Sequence, residues 1–416
     1  MHCQTLALCV LACLSLTPGV VSFAAPASPA PGAPAAQAAP ASQPPPLLRS
    51  IASRSDLRNA RLRFERAKEG HVAFIGGSIT EMDGYRPLLM KHLQERFPQT
   101  RFTFTQAGIA STCSTTGAMR LRTDVLAHGP TDLLFAEFAV NDDQDAFHAR
   151  REAIRGMEGI ARQLRAHNPH ADMVITHFVN ESMRDALIAG KTPLTVEAHE
   201  AVATHYGLTS SNLAREVATR IAGGQLTWKE YGGTHPGKPG NRLAADMVIA
   251  ALDRAWAQPL AADAAAKAHA TPEPLEAGNY ERGRFLALSD AKLGEGWRIE
   301  TPDWKKLKGQ SRSRFTAIPV LVGDRPGATL TLSFTGRAVG LYLLAGPDAA
   351  VVEASVDGQA AKKIDTYHRY SGNLHYPRTV MLADDLTDGP HVLTLRVVEG
   401  ERGGARACRV MHFVAN

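Results

Sequence analysis

Four short polar segments of this 416-residue chain carry residue types that together suit acyl transfer. Ser78 lies within Gly76–Thr80, and Gly108, Asn141 and His235 lie in three later segments. Acyl transfer needs a nucleophile, a base that takes its proton, and hydrogen-bond donors aimed at the developing oxyanion. A serine hydroxyl can attack, and an imidazole titrates near neutral pH and can serve as the base. These residues therefore predict an acyl-transfer site, provided that the fold brings the four segments together.

The elements around these segments predict that they meet at one edge of a sheet. Three of the segments follow apolar runs that read as strands, over 72–75, 101–106 and 132–138, and the fourth precedes a helix over 241–256. In open parallel sheets, ligands bind outside the carboxyl ends of the strands. Two further strands and five further helices are predicted, over 172–178, 207–210, 86–97, 117–127, 146–166, 197–205 and 211–221. This alternation predicts a doubly wound, flavodoxin-like α/β domain with helices on both faces of a parallel sheet.

Ser, Gly, Asn and His at four strand-end positions, in that order, resemble the SGNH (GDSL-type) hydrolases over about residues 70–257. Each short motif alone is weak, whereas the four in order are specific. The resemblance implies that Ser78 is the nucleophile and His235 the general base. It also implies an oxyanion hole formed by the backbone N–H groups of Ser78 and Gly108 and the side-chain amide of Asn141.

The chain departs from the family pattern at three positions. Gly77 replaces the Asp usual before the serine, and Ala139 replaces the Gly usual two residues before the asparagine. Gly232 stands where the family places an Asp, three residues before His235, to orient the imidazole. Two alternatives remain open: Glu230, the nearest upstream carboxylate, orients the histidine, or a backbone carbonyl does so and leaves a Ser-His dyad.

Other polar residues near the predicted sheet edge are expected to be solvated loop residues, namely Asp142, Asp143, His177, Asn180 and Glu181. Trp228 is open to two interpretations, an aromatic wall for a sugar ring or a core residue. The sequence contains no metal-ligand cluster, P-loop or nucleotide-binding fingerprint, so no metal or cofactor is expected.

The N-terminus has the features of an export signal. Leu6–Val21 is apolar, is interrupted by Pro18 and is followed by small residues, which predicts a signal peptide over 1–24 that is too short to span a bilayer. The alternative is lipoprotein processing at Cys13, because Val10–Cys13 resembles a lipobox. Export would place the protein in the periplasm or outside the cell. A Pro/Ala-rich segment over 25–47 is predicted to be a disordered tether.

The remaining chain divides into a hydrolase domain (48–258), an Ala-rich linker (259–277) and an all-β domain (278–416). The last is predicted to be a β-sandwich from short β-rich runs over 328–334, 339–344, 351–356 and 391–398, separated by turn signals. It loosely resembles galactose-binding-type sandwiches. Seven of its residues could form a sugar platform or a loop docked on the hydrolase domain: Asp365, Tyr367, His368, Tyr370, Asn373, His375 and Tyr376.

Charge and cysteine content exclude several classes of protein. The net charge of +5 is spread along the chain, without the basic-aromatic clusters of a nucleic-acid-binding surface. After Ala24 no apolar stretch reaches the ~18 residues of a membrane span. Removal of the signal segment would leave Cys113 and Cys408, and two isolated buried thiols are favoured over a disulfide between the domains.

These observations together favour an exported serine esterase that removes acyl groups, chiefly O-acetyl groups, from a polysaccharide or oligosaccharide. One alternative is a lipid esterase or lysophospholipase with the same catalytic residues. Another is a non-catalytic carbohydrate-binding relative whose triad has decayed at Gly232. The identity of the acylated sugar and the oligomeric state remain open.

Overall fold

The computed structural model describes residues 47–400 and 406–416, and these form one compact unit. The predicted signal peptide, the lipidation site at Cys13 and the tether up to Pro46 lie outside the described residues. In the part of the chain that the structure describes, no helix is both long and apolar enough to cross a membrane.

The first part of the chain contains a six-stranded sheet in the order β1-β6-β5-β4-β2-β3. Neighbours from β6 to β3 run parallel, and only the short β1 pairs antiparallel, with β6. This order of the parallel strands is flavodoxin-like and confirms the predicted doubly wound sheet. The six strands are β1 Ile51–Ala52, β2 Glu69–Gly76, β3 Arg101–Gly108, β4 Leu133–Glu137, β5 Asp172–Thr176 and β6 Thr209–Ser211.

Helices cover both faces of this sheet, as the alternating pattern predicts. The predicted helix over 146–166 starts only at Arg150, because the preceding Phe147 adopts a left-handed conformation (φ 50°) that an α-helix does not admit. The helices are α1 Arg58–Leu62, α2 Ser78–Glu81, α3 Tyr85–Arg96, α4 Ser114–Asp124, α5 Ala139–Gln144, α6 Arg150–His167, α7 Glu181–Ile188, α8 Leu194–His205, α9 Leu213–Ala222, α10 Trp228–Tyr231 and α11 Lys238–Ala255.

The strands β2, β4 and β5 are buried because their side chains alternate between two apolar cores, whereas the edge strand β3 is largely exposed or half-buried. In β2, Val72 and Phe74 belong to the core on one face, and Ala73 and Ile75 belong to the core on the other. Successive side chains of a strand point to opposite faces, so a strand covered on both sides is apolar throughout. The pairing of the strands sets the register of their carboxyl ends, where Gly76 of β2 lies opposite Gly108 of β3 and Glu137 of β4.

The C-terminal part is a sandwich of two antiparallel sheets, as predicted. One sheet has the order β15-β12-β17-β10-β9 with β7 beside β17, and the other has the order β14-β13-β16-β11-β8. A third apolar core that includes Leu332, Leu341 and Leu395 fills the space between them. The elements are β7 Arg284–Leu286, β8 Ala291–Leu293, β9 Trp297–Glu300, α12 Ser313–Thr316, β10 Val320–Gly323, β11 Thr329–Gly336, β12 Val339–Ala345, β13 Val351–Val356, β14 Lys362–Asp365, β15 Tyr376–Ala383, β16 Gly389–Val398 and β17 Cys408–Ala415.

The sandwich and the α/β part share one of the three cores. This core combines Met119 and Ile160, from helices of the α/β part, with Phe315, Tyr342 and Met411 from the C-terminal part. The hydroxyl of Thr116 donates to that of Thr379 across the same contact, at 2.8 Å. The two parts are therefore packed against each other rather than loosely tethered.

The segment predicted to be a linker is bound along the α/β part. Residues 259–277 contain no helix or strand, but arginines donate hydrogen bonds to their backbone, such as Arg66 to Ala261 at 2.5 Å and Arg162 to Pro272 at 2.7 Å. Cys113 and Cys408 are both buried and unpaired, as the sequence favoured.

Candidate active site

The four predicted segments meet at the carboxyl edge of the parallel sheet. Ser78 begins α2 directly after β2, Gly108 ends β3, and Asn141 lies in α5 just after β4. His235 lies in the loop between α10 and α11. The hydroxyl oxygen of Ser78 and Nε2 of His235 are 2.8 Å apart, a hydrogen-bonding distance.

Ser78 occupies a position from which its backbone and its side chain can both act. The residue is half-buried, and as the first residue of α2 its N–H has no acceptor within the helix. A nucleophile at such a position presents both its hydroxyl and an N–H to an approaching acyl group. Such a hydroxyl can supply an attacking oxygen, and such an N–H can donate to an oxyanion.

Gly77 and Gly108 make room for close contacts around the serine. A Cβ atom on Gly77 would lie 2.0 Å from Oδ1 of Asn141, and one on Gly108 would lie 2.3 Å from the backbone nitrogen of Glu81. The family's Asp therefore cannot occupy position 77 while Asn141 keeps this position. The departure from the family pattern at Gly77 is therefore explained by the close approach of Asn141 to the turn that carries Ser78.

Asn141 is buried, and its side chain is fixed by a hydrogen bond to Asp145. Its Nδ2 donates one hydrogen to Oδ2 of Asp145 at 2.6 Å, which leaves its second amide hydrogen for another acceptor. Burial raises the pKa of Asp145 to about 6, although the amide of Asn141 favours the ionised carboxylate. Asp145 is thus a partner of Asn141 that the sequence analysis did not find.

The residues around Asn141 are not the solvated loop that the sequence suggested. Asp142 is fully buried and accepts hydrogen bonds from the backbone and hydroxyl of Ser114, both at 2.7 Å, and from His199 at 2.9 Å. Although burial opposes it, the pKa of Asp142 lies below its usual range, because His148 and His199 stabilise the carboxylate. His177 and Asn180 are also buried. The solvated-loop expectation is wrong for these three residues, which are buried and hydrogen-bonded to other side chains: Nε2 of His177 to Glu200 and Nδ2 of Asn180 to Asp143, both at 2.7 Å.

One group of side chains has the composition of a metal site. A thiol, a carboxylate and an imidazole, from Cys113, Asp142 and His148, lie with their potential ligand atoms within 4.8 Å of one another. This donor set would suit zinc. Both oxygens of Asp142 already accept hydrogen bonds from protein donors, and Nδ1 of His148 lies 3.4 Å from Oδ1 of Asp142 in an ion pair.

The loop that carries His235 is tightly folded around Gly232. Gly232 has a φ of 106°, and a Cβ atom there would lie 2.0 Å from the backbone nitrogen of Gly237. The side chain of Asn241 donates to the carbonyl of Pro236 at 2.6 Å and fixes the loop from α11. Position 232 therefore has no room for the orienting Asp of the family pattern.

No carboxylate takes the place of that Asp among the described contacts of His235. The carboxylate of Glu230 accepts from the backbone and hydroxyl of Thr227, both at 2.8 Å, in a capping box of α10. The only recorded hydrogen bond of the His235 ring, within the described residues, is that with Ser78. Desolvation lowers the pKa of His235, so the ring is neutral at pH 7 and can accept a proton.

Two arginines from the C-terminal part hold the loop after β3. Arg314 donates to the carbonyl of Gly108 at 3.1 Å and to the carboxylate of Glu81 at 2.9 Å. Arg312 donates to the carbonyl of Ala110 and the hydroxyl of Ser111, both at 2.8 Å. Because this loop carries Gly108, the C-terminal part helps to shape the site.

The rim beside α5 is formed by aromatic and basic side chains. The guanidinium of Arg369 lies 4.6 Å from the ring centre of Phe147 and 4.7 Å from that of Tyr370. Phe147 and Tyr370 are exposed, whereas His368 is buried and donates to the carbonyl of Asp145 at 2.8 Å. The region predicted as either a sugar platform or a docked loop is docked through His368 and exposed at Tyr370.

Trp228 is half-buried beside the core of the α/β part, where its ring stacks on Tyr231 with centroids 5.4 Å apart. The guanidinium of Arg184 lies 4.8 Å from the ring centre of Trp228. These contacts agree with the core interpretation of Trp228.

Residues 74–243 match the family model described as the GDSL-like lipase/acylhydrolase family. This segment is a GDSL-like acylhydrolase domain. In the acylhydrolase domain, Ser78 and His235 both lie within the matched residues, as do Gly108 and Asn141. No curated protein matches the chain in sequence.

Among solved structures, the chain is similar to a two-domain esterase active on acetylated mannans, crystallised with mannopentaose. The two share 21% identity with a TM-score of 0.72, over 89% of this chain and 97% of that chain. A second structure of such an esterase gives the same score and identity, with 98% of its chain covered. At this identity the likeness establishes a shared fold, and it extends over the acylhydrolase domain and the β-sandwich together. An acetyl xylan esterase from Geobacillus stearothermophilus aligns with 44% of this chain at 15% identity, with a TM-score of 0.35.

Proposed function

We propose that this protein is an exported serine esterase that removes O-acetyl groups from a polysaccharide or its oligosaccharides. The observation that carries the proposal is the 2.8 Å contact between the Ser78 hydroxyl and Nε2 of His235, at the sheet edge where Gly108 and Asn141 also lie. The acylhydrolase domain supports the ester-hydrolysing chemistry.

The reaction would follow the usual two steps of a serine esterase. Oγ of Ser78 attacks the acyl carbon while Nε2 of His235 takes the hydroxyl proton. The oxyanion that forms is held by the backbone N–H groups of Ser78 and Gly108 and by Nδ2 of Asn141. His235 then protonates the leaving sugar oxygen, and a water deprotonated by the same imidazole releases the acyl group from Ser78.

A dyad is the arrangement that best fits the contacts of His235 in this reaction. Glu230 is committed to capping α10, and Gly232 leaves no side chain at the family's position. The neutral, partly desolvated imidazole can accept the serine proton without a buried carboxylate. Orientation of the ring would then come from the folded loop, which Asn241 holds in place.

The openness of the site favours a bulky, hydrophilic substrate. Ser78 is half-buried and His235 is exposed, so a long polymer can reach both. The exposed rim pairs aromatic rings with a guanidinium, Phe147 and Tyr370 with Arg369, and such surfaces suit sugars better than acyl chains. The similar two-domain esterase, which acts on acetylated mannans, supports the same class of substrate.

The experiment compares acetate release from acetylated mannan with fatty-acid release from lysophosphatidylcholine, using the full-length protein. We expect acetate release that Ser78→Ala abolishes and Ser355→Ala leaves unchanged, since Ser355 is a half-buried serine on β13 of the sandwich. Faster turnover of the lysolipid would contradict the carbohydrate assignment. Acetate release by Ser78→Ala at the wild-type rate would contradict the assignment of the nucleophile.

A further inference from the structure

Glu137 has a buried carboxyl group that contacts the turn on which Ser78 lies. It is the last residue of β4, where it pairs with Gly76 at the end of β2, and only 1% of its surface is exposed. Among the described residues no arginine, lysine or histidine forms an ion pair with it. Such a group is costly to bury unless hydrogen bonds compensate for the lost water.

The compensating hydrogen bonds all come from the residues that flank Ser78. Oε1 of Glu137 accepts from the backbone nitrogen of Gly77 at 2.9 Å, from that of Thr80 at 3.2 Å and from the hydroxyl of Thr80 at 2.7 Å. The Thr80 hydroxyl in turn lies 2.9 Å from that of Tyr85. Three donors converging on one oxygen define the path of the chain from Gly77 to Thr80.

The second oxygen, Oε2, is buried without a hydrogen-bond partner in the described structure. The titratable groups that act on the carboxyl from neighbouring elements are Tyr85 of α3, Tyr231 of α10 and Asp142 of α5. None of them is a cation, and burial raises the pKa of Glu137 to about 7. A purely structural role would be served better by an apolar side chain, since a half-satisfied buried carboxyl lowers stability.

We propose that Glu137 is a positioning residue for the nucleophile. By occupying the N–H of Gly77 and fixing Thr80, it holds the Ser78 hydroxyl against His235 and keeps the Ser78 N–H directed towards the oxyanion. The inference rests on the proposed function, in which Ser78 attacks the ester. It assigns the role to the position of Oε1 and not to the charge of the carboxyl.

The test compares two substitutions that separate position from charge. Glu137→Gln keeps an acceptor at Oε1, and its amide group takes the place of the unpartnered Oε2. Glu137→Asp keeps the carboxyl but withdraws it by one methylene from the three donors. We expect Glu137→Gln to retain kcat within about threefold and Glu137→Asp to lose roughly 100-fold in kcat, as a ~1 Å misplacement of a reacting group can cause.

KM should stay within about twofold in both variants, because Glu137 supports the nucleophile and does not contact the substrate. The matched control is Glu158→Asp. Glu158 is equally buried and accepts from the Tyr206 hydroxyl and the backbone of Leu275 and Glu276, at 2.8, 2.6 and 2.9 Å, but on α6. This control should lose thermal stability and keep its kcat.

Wild-type kcat in Glu137→Asp, equal losses in Glu137→Gln and Glu137→Asp, or an equal loss in Glu158→Asp would each overturn the proposal. All rates are divided by the fraction of protein that retains a native thermal transition, so misfolding does not enter the comparison. Ser78→Ala is measured in parallel. Full activity in that variant would refute the proposed function itself, independently of the result for Glu137.

Discussion

His235 is the general base in the proposed reaction, and the surroundings of its imidazole differ from those in a full triad. Its ring contacts Ser78, and desolvation alone accounts for its lowered pKa. In a triad, a carboxylate stabilises the charged imidazole. Here the charged form gains no such stabilisation from any described contact, so the neutral form is favoured over a wider range of pH.

The first prediction concerns the pH profile of small-ester hydrolysis. In the proposed reaction neutral His235 takes the serine proton, so kcat/KM should rise with pH through the pKa of this group and level off above it. Because desolvation lowers that pKa below its usual 6.5, the midpoint of the rise should lie below pH 6.5. The profile is measured with p-nitrophenyl acetate in wild-type protein, and a rise centred above pH 6.5 would contradict this prediction.

The second prediction concerns the substitution Gly232→Asp, which introduces the Asp that the family pattern has at this position. Since Gly232 has a φ of 106° and its Cβ would lie 2.0 Å from the nitrogen of Gly237, the variant should lose stability. The positive φ alone should cost roughly 1–3 kcal/mol in the free energy of unfolding. Urea unfolding measures the loss, and kcat should fall with it.

Position 246 on α11 offers a matched control for this substitution. Asp246→Gly removes a carboxyl from an exposed part of a helix, where its partner is Arg242, and should leave kcat unchanged. A stable Gly232→Asp variant with a higher kcat than wild type would mean that the loop can accept a triad carboxylate after all.

At the scale of elements, the parallel strands were predictable and the contacts between elements were not. The five predicted strands of the α/β part all exist, and β2, β4 and β5 are runs buried on both sides. By contrast, β3 is a partly exposed edge strand and β6 is a short buried run of Thr and Ser. The two-residue β1 is too short to give a pattern. In the sandwich, the four predicted runs correspond to β11, β12, β13 and β16, and the other strands were not predicted. Among these, β14 is a charged, mostly exposed edge strand over Lys362–Asp365, and buried Arg409 interrupts the apolar pattern of β17.

In the candidate active site, too, some residues could be predicted from the sequence and others could not. Ser78, Gly108, Asn141 and His235 could be found because each follows or precedes a recognisable element. One indication of Glu137 was present in the sequence, since it is the charged residue at the end of the otherwise apolar strand β4. A carboxyl group buried there requires hydrogen-bond partners. Arg314 carried none, since its contact with Gly108 joins residues that are far apart in sequence.

The third prediction tests the contact of α12 with the loop after β3. Arg314→Ala removes the hydrogen bonds to Gly108 and Glu81 and should lower kcat for p-nitrophenyl acetate about tenfold, equivalent to ~1.4 kcal/mol. The control is Arg298→Ala, which removes a similarly exposed arginine paired with Glu300 and Asp324 in the sandwich. Equal kcat values in the two variants would show that the loop does not depend on Arg314.

For the molecule as a whole, the shared core makes the β-sandwich part of the esterase and not an appendage. Met119 and Ile160 pack in one core with Phe315, Tyr342 and Met411, so the α/β part alone would expose these apolar side chains. Each square ångström of apolar surface so exposed costs about 25 cal/mol. The sequence could locate a boundary near Gln258 from composition, but it could not show how much surface the two parts share.

The fourth prediction follows from this shared core and from Arg312 and Arg314. A chain truncated after Gln258 should be poorly soluble, and any soluble fraction should hydrolyse p-nitrophenyl acetate at less than about a tenth of the wild-type kcat, as expected from the loss of ~1.4 kcal/mol or more at the loop. Solubility and kcat are measured together. A soluble truncated protein with wild-type kcat would show that the sandwich serves only to reach the polymer.

The central claim is that Oγ of Ser78, activated by His235, is the nucleophile that attacks the acyl carbon. Covalent trapping of this oxygen tests the claim most directly. The full-length protein is incubated with a fluorophosphonate and digested, and the peptides are analysed by mass spectrometry. One phosphonyl group per chain is expected on the peptide that contains Ser78, with labelling slowed by orders of magnitude in His235→Ala. Labelling of another serine, or ester hydrolysis that continues undiminished with Ser78 unlabelled, would contradict the account.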